Sequence, residues 1–314
     1  MDLGLTGGFE YLGRRYGRLP FDIIYAVDND QYCSRIYDAN FDHKCNVLDV
    51  RDIDIASLPD FDLLTGGFPC QSFSISAQNP PRLGYKDERG MLFFEMVKIL
   101  KEKKPRFFIA ENVKGLLSAN RGMAFPMIIK EFGDAGYHIK YQLLNSSNYG
   151  VPQKRERVII IGCREQADID RFSFPKPATP HSKVPLRQVI DPDAEIDDKY
   201  FFSDRAVQGL LQANRAMNKG RAQSLDSPCN TISSHLAKVS LNSTDPVLKT
   251  GSRYRRFTPR EAARIQSFPE SFLFDTVSES RQYKAIGNAV PPVMMWHIAK
   301  ALADSDTPEE RSDA

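Results

Sequence analysis

Two apolar runs separated by one helical repeat restrict the architecture more than any other feature of the chain. Phe61-Asp62-Leu63-Leu64-Thr65 and Arg106-Phe107-Phe108-Ile109-Ala110 read as buried strands. Between them, Met91 to Lys104 sets Leu92, Met96, Ile99 and Leu100 at helical spacing before the stop signal Lys104-Pro105. A strand, helix, strand unit makes the two strands parallel, and in an open parallel sheet both carboxyl ends face one ligand crevice. Each end here carries chemistry: a cysteine at Cys70 after the first strand, and a carboxylate at Glu111 after the second.

The cysteine stands in Gly66-Gly67-Phe68-Pro69-Cys70-Gln71-Ser72-Phe73-Ser74. Two glycines and a proline allow a sharp turn and close approach to a ligand, and the polar residues beyond supply hydroxyl and amide groups. Cys70 is therefore presented rather than packed, whereas Cys33, Cys45, Cys163 and Cys229 read as small buried hydrophobes. A third stretch, Tyr149-Gly150-Val151-Pro152-Gln153-Lys154-Arg155-Glu156-Arg157, leads into the strand Val158 to Gly162. Its alternate arginines would point to one side; they read either as a solvated face or as a pair, Arg155 and Arg157, binding phosphate or a base oxygen beside the crevice.

In this order the stretches resemble the DNA cytosine-5 methyltransferases over nearly the whole chain. Gly66 to Ser74 resembles that family's Pro-Cys nucleophile motif, Glu111-Asn112-Val113 its Glu-Asn-Val motif, and Gln153 to Arg157 its Gln-x-Arg-x-Arg motif. Arg256-Phe257-Thr258-Pro259-Arg260-Glu261-Ala262-Ala263-Arg264-Ile265-Gln266 resembles the ninth motif, and Gly287-Asn288-Ala289-Val290-Pro291-Pro292 the tenth. The resemblance implies a doubly wound, Rossmann-like α/β sheet of the S-adenosylmethionine-dependent methyltransferase type with a smaller target-recognition domain. It divides the chain into a catalytic and cofactor-binding domain over 1–170, a recognition domain over 171–282, and a C-terminal segment, 283–314, returning to the catalytic domain.

The chemistry implied is methylation of carbon 5 of cytosine in a specific double-stranded DNA sequence. The Cys70 thiolate adds to carbon 6 of a base flipped out of the duplex, and Glu111 protonates or hydrogen-bonds ring nitrogen 3. Arg157, with Arg155, holds the carbonyl oxygen and a nearby phosphate and helps keep the sulfur ionised. Gln71, Ser72, Thr231 and Arg256 are the implied DNA contacts; Thr231-Ile232 resembles the Thr-Leu type dipeptide of the recognition region. S-adenosyl-L-methionine is the implied methyl donor: Asp28, after the strand Phe21 to Val27, receives its ribose hydroxyls, Asp49 its adenine, and Pro69, Asn288 and Val290 complete the pocket, with Val293 to Leu302 as the returning helix. Two other readings stay open: a related DNA-binding protein that has lost catalysis, and an RNA cytosine methyltransferase, although the Cys-Phe-Thr signature of that branch is missing.

Composition agrees with a soluble globular enzyme: 314 residues, 41% hydrophobic, 26% charged, and a net charge of +2. Near-neutrality does not exclude a DNA partner, since local basic patches such as Lys219-Gly220-Arg221 and Lys249 to Arg256 suffice for phosphate contacts. Five cysteines without Cys-x-x-Cys spacing argue against a metal site or a disulfide framework. No apolar run reaches membrane length, and the cysteine usage fits a reducing cytoplasm; the resemblance implies a nucleoid-associated prokaryotic monomer, with a restriction endonuclease as a separate companion. Pro175, Pro177 and Pro180 mark the linker between modules.

The amino terminus departs from the family. Members begin with a buried strand and Phe-x-Gly-x-Gly, whereas Met1-Asp2-Leu3-Gly4 resembles the residues just after that loop and Leu5-Thr6-Gly7-Gly8-Phe9 is a degenerate substitute. The expectation is a chain started at an internal methionine, with the strand and loop encoded upstream.

Overall fold

The structure is a computed structural model that describes residues 1–68, 88–212, 221–238 and 245–306. The first half runs α1 (Asp2–Thr6), β1 (Phe9–Tyr11), β2 (Arg14–Tyr16), β3 (Ala26–Asp28), α2 (Gln31–Asp38), β4 (Cys45–Val47), β5 (Leu63–Gly67), α3 (Glu88–Lys103), β6 (Phe107–Val113), α4 (Ala124–Asp134), β7 (His138–Asn145), β8 (Gln153–Lys154) and β9 (Glu156–Cys163). The second half runs α5 (Gln166–Arg171), α6 (Asp204–Gln212), β10 (Cys229–Asn230), β11 (Leu248–Thr250), β12 (Arg253–Arg255), α7 (Pro259–Ile265), α8 (Glu279–Asn288) and α9 (Pro292–Asp306).

The central sheet has the order β5-β6-β9-β7. β5 and β6 are parallel, as the helical crossover between them requires, and β9 runs antiparallel to both β6 and β7. From Val158 to Cys163 β9 is apolar and buried because both of its faces are covered. Ile159, Ile161 and Cys163 join Phe107, Ile109 and the α9 residues Met294, Met295 and Ile298 in one core. Val158 and Ile160 join Phe108, Ala110, the α3 residues Phe93 and Leu100 and the α4 residues Ile128 and Phe132 in the other. The period-two alternation of a strand thus sorts consecutive isoleucines into opposite layers, each contributing roughly 1.5–3 kcal/mol by burial. This is the doubly wound α/β layering expected from the sequence.

The amino-terminal half of the sheet differs from expectation. Phe21 to Val27 reads as one strand, but only Ala26–Asp28 pairs, in parallel with Cys45–Val47. Residues 20–28 and 58–68 instead line one cavity of about 1080 Å³. No strand pairing among the described residues crosses it, so the stretch before Ala26 has no neighbour to complete a ladder. Leu5 to Phe9 is not a turn between a strand and a helix either: it ends α1 and opens the β1–β2 hairpin. Gly4 lets α1 lie on α9, where a Cβ would stand 2.5 Å from that of Met295.

A separate core forms in the later part of the chain from Leu186, Val189, Cys229, Ile232, Leu248, Phe257, Ile265, Tyr283 and Ile286. It also takes in Ile36 of α2, while Phe172 packs with the first core. Among the described residues no helix is long and apolar enough to cross a membrane.

Candidate active site

The β5–β6 register sets Gly67 opposite Glu111. Glu111 Oε1 lies 2.7 Å from Nε of Arg157, which sits on the neighbouring strand β9 opposite Val113; the two side chains are 14% and 11% exposed. Charge-assisted bonds of this length hold both groups in one orientation. Strand alternation turns the next residue, Asn112, to the other face, where it is buried and its Nδ2 donates to the Phe68 carbonyl at 2.7 Å. Its Oδ1 accepts from Val113 N at 2.9 Å. Asn112 therefore pins the chain where it leaves β5, two residues before Cys70. Pro69, Cys70, Gln71 and Ser72 lie outside the described residues.

Arg155 and Arg157 do not share a side. Arg155 falls in the break between β8 and β9, and its guanidinium turns inward, 3% exposed, to donate to Ile232 O at 3.1 Å and Gly287 O at 2.9 Å. Burial, with Arg157 nearby, holds it below the usual guanidinium range. The residue expected at a phosphate is thus placed between main-chain segments.

A second cavity, about 470 Å³, opens beside Arg157 and is lined by Val113, Lys114, Asn145, Lys154, Glu156 and Thr231. Thr231 stands at its edge because β10 pairs with β8 and the Thr231 hydroxyl donates to Lys154 O at 2.8 Å. Arg256 is placed elsewhere, 5.2 Å above the Tyr200 ring and 3.6 Å from Glu279. Nor is the basic run around it uniformly a phosphate face. Arg255 is fully buried against Glu261, Arg253 stacks 3.6 Å over Phe201, and Arg221 is buried; Lys219 and Gly220 lie outside the described residues.

The large cavity beside β3 and β5 is lined by Asp28, Gly66, Gly67, Glu111, Asn288 and Val290, bringing expected cofactor residues to within reach of the Glu111 end of β6. Asp28 is a lining residue of this cavity, and the partial desolvation of its carboxyl raises the pKa, opposed by the Asp30 N–H at 2.8 Å. Asp49 does not line the cavity: its carboxylate caps Arg51 N and forms a two-pronged pair with the Arg51 guanidinium, which holds it down at about 2. The donor set of the cavity, an acidic acceptor at the end of β3 and the Asn288 amide at the end of α8 over apolar walls, fits a ligand with hydroxyl groups and a flat ring.

The sequence placed Gln153 and Gln266 in motifs but assigned neither a role; both are fully buried and bonded to each other. A glutamine in a polar run carries no periodic signal. The Thr258 to Glu261 capping box, by contrast, is readable as Thr-x-x-Glu, and the structure forms it in both directions.

Comparison with known proteins places these features in a family. The family model for C-5 cytosine-specific DNA methylases matches residues 3–304. The Type II methyltransferase M.Bsp6I of Bacillus sp. (strain RFL6) is 31% identical, with 96% of this chain and 96% of the relative covered. The Type II methyltransferase M.FnuDI of Fusobacterium nucleatum is 34% identical, with 98% and 96% covered. Among solved structures, the Entamoeba histolytica methyltransferase EhMeth superposes with a TM-score of 0.73 at 17% identity over 96% of this chain and 94% of that one. The Dnmt2 methyltransferase of S. pombe gives 0.72 at 20% identity over 92% and 93%. Both likenesses concern the fold.

Proposed function

Since the chain belongs to the C-5 cytosine-specific DNA methylase family, we propose that it methylates carbon 5 of cytosine in a specific duplex DNA sequence through a covalent Cys70 adduct. The observation that carries this reading is the Glu111–Arg157 pair at the carboxyl end of β6, directly beside the Asn112-anchored exit of β5 toward Cys70. A cytosine inside the stack is out of reach of the sulfur, so the target base leaves the helix and enters the site.

Cys70 as thiolate adds to carbon 6, forming the carbon–sulfur bond and moving the ring's electron pair to carbon 5. Glu111 hydrogen-bonds or protonates ring nitrogen 3, and Arg157, fixed by Glu111, donates to the exocyclic oxygen where negative charge gathers. S-adenosylmethionine supplies the methyl group to carbon 5; Asp28, Asn288 and Val290 would hold it in the large cavity. Loss of the carbon 5 proton to water then returns the electron pair to the ring and expels Cys70 as thiolate. Thr231, with Lys114 and Lys154 on the second cavity, faces the DNA. The likeness to Type II methyltransferases supports work alongside a separate restriction endonuclease.

The test is incubation with tritiated S-adenosylmethionine and either mixed-sequence duplex DNA or RNA, followed by a duplex carrying 5-fluorocytosine at the mapped target. DNA methylation and a covalent adduct that Cys70→Ser abolishes are the expected results. Label on RNA alone, or turnover by Cys70→Ser, overturns the reading.

A further inference from the structure

Arg155, Gln153 and Gln266 join two segments that belong to different tasks. Gln153 Oε1 accepts from Ile232 N at 3.0 Å, while its Nε2 donates to Gln266 Oε1. Gln266 Nε2 in turn donates to Ala289 O at 2.5 Å and Ile286 O at 3.1 Å. Arg155 closes the ring by bonding Ile232 O and Gly287 O. At Gly287 the main chains touch, and an added Cβ would stand 2.3 Å from the backbone of Ser233 and Ser234. One side of this ring carries Thr231, on the cavity assigned to DNA; the other carries Asn288 and Val290, on the cavity assigned to the cofactor.

We propose that Gln153, Gln266 and Arg155 are positioning residues that lock segment 229–234 to segment 286–290, so that DNA seated at Thr231 and cofactor seated at Asn288 strengthen each other's binding. The inference rests on the DNA and cofactor assignments made under the proposed function. The physical basis is the cost of leaving buried donors and carbonyls unpaired: Gln153, Arg155 and Gln266 are buried, as are Ile232, Ile286 and Gly287 whose main chain they bond, so a shift of either segment breaks bonds that water does not readily replace. A ligand that orders one segment therefore lowers the cost of ordering the other, and such coupling is reciprocal.

The experiment measures the dissociation constant of S-adenosylhomocysteine with and without cognate duplex, together with kcat and KM, for the wild type and Gln266→Met. Methionine fills the glutamine's volume but offers neither the acceptor nor the donors. In the wild type, DNA should tighten cofactor binding about ten-fold, within the usual range of coupling energies. In Gln266→Met the gain should fall below about three-fold, kcat should fall more than KM rises, and DNA affinity without cofactor should be unchanged. Gln153→Met added to Gln266→Met should cost no more than the worse single change, as for residues of one network. Should Gln266→Met fail to fold, Gln153→Glu, which keeps the acceptor for Ile232 N and loses the donor to Gln266, is read in the same way. A wild type that methylates DNA but shows no coupling overturns the lock and leaves the proposed function standing. A lowered melting temperature with unchanged coupling and kcat reduces the ring to a structural tie and overturns it as well. A wild type that methylates no DNA counts against the functional reading itself.

Discussion

Glu111 and Arg157 meet diagonally across β6 and β9, Oε1 to Nε at 2.7 Å, and each helps to hold the other in one orientation. Replacing Arg157 with Met should lower kcat about 100- to 1,000-fold, the range for losing one preorganised donor to developing charge. Glu111→Gln keeps shape and removes the acid, and should cost a comparable 100- to 10,000-fold. Both variants should still bind duplex in a gel-shift assay; retained turnover in either would remove that residue from the chemistry.

The strand, helix, strand unit around Cys70 and Glu111 was legible because its signals are local: apolar runs, a helical period and a Lys-Pro stop. The amino-terminal region was not. Phe21 to Tyr25 has the residues of a strand, yet a strand is defined by a partner, and the cavity offers none there. The arginines were misread for a related reason. Arg155 and Arg157 look equivalent in sequence, but the break between β8 and β9 turns one inward to carbonyls and leaves the other with Glu111. Arg255 likewise reads as part of a basic surface run, and only its packing against Glu261 shows it to be core.

That Arg255–Glu261 pair is fully buried, with Nη1–Oε2 and Nη2–Oε1 distances of 2.8 Å, and Asp193 2.9 Å from Nε. Glu261 also receives Thr258 N and Asp191 N, so one carboxylate caps α7 and anchors the chain before it. Glu261→Ala takes the two-pronged partner from a buried guanidinium, leaving it the partly exposed Asp193, and should destabilise the protein by about 3 kcal/mol. Urea unfolding followed by circular dichroism measures this; a loss below about 1 kcal/mol, the size of an exposed pair, would contradict it.

Gly162 lies in β9 where the Phe108 ring covers the strand, and a Cβ there would come 1.9 Å from that ring. Phe108 cannot yield, because Phe132 and Tyr137 pack against it at ring-centroid distances of 4.5 and 5.1 Å. Gly162→Ala should therefore cost at least about 1–3 kcal/mol through overpacking. A midpoint in urea equal to that of the wild type would show that the aromatic cluster can repack.

His297 provides the pH dependence. Its ring packs among Tyr16, Tyr149 and Trp296, its Nε2 is buried without a hydrogen-bond partner, and burial, helped by Arg14, depresses its pKa to about 4. In the unfolded chain an ordinary imidazole titrates near 6.5, so between these values the unfolded state binds the extra proton. Stability is complete above about pH 6.5 and is lost as pH falls toward 4, by up to about 3 kcal/mol from this one residue. His297→Leu should keep the packing and remove the titration. The difference in unfolding free energy between wild type and variant should then shift in the variant's favour by about 2–3 kcal/mol from pH 7 to pH 4, other acids cancelling in the comparison. Parallel pH profiles for the two proteins would mean that His297 is protonated as readily in the fold as outside it.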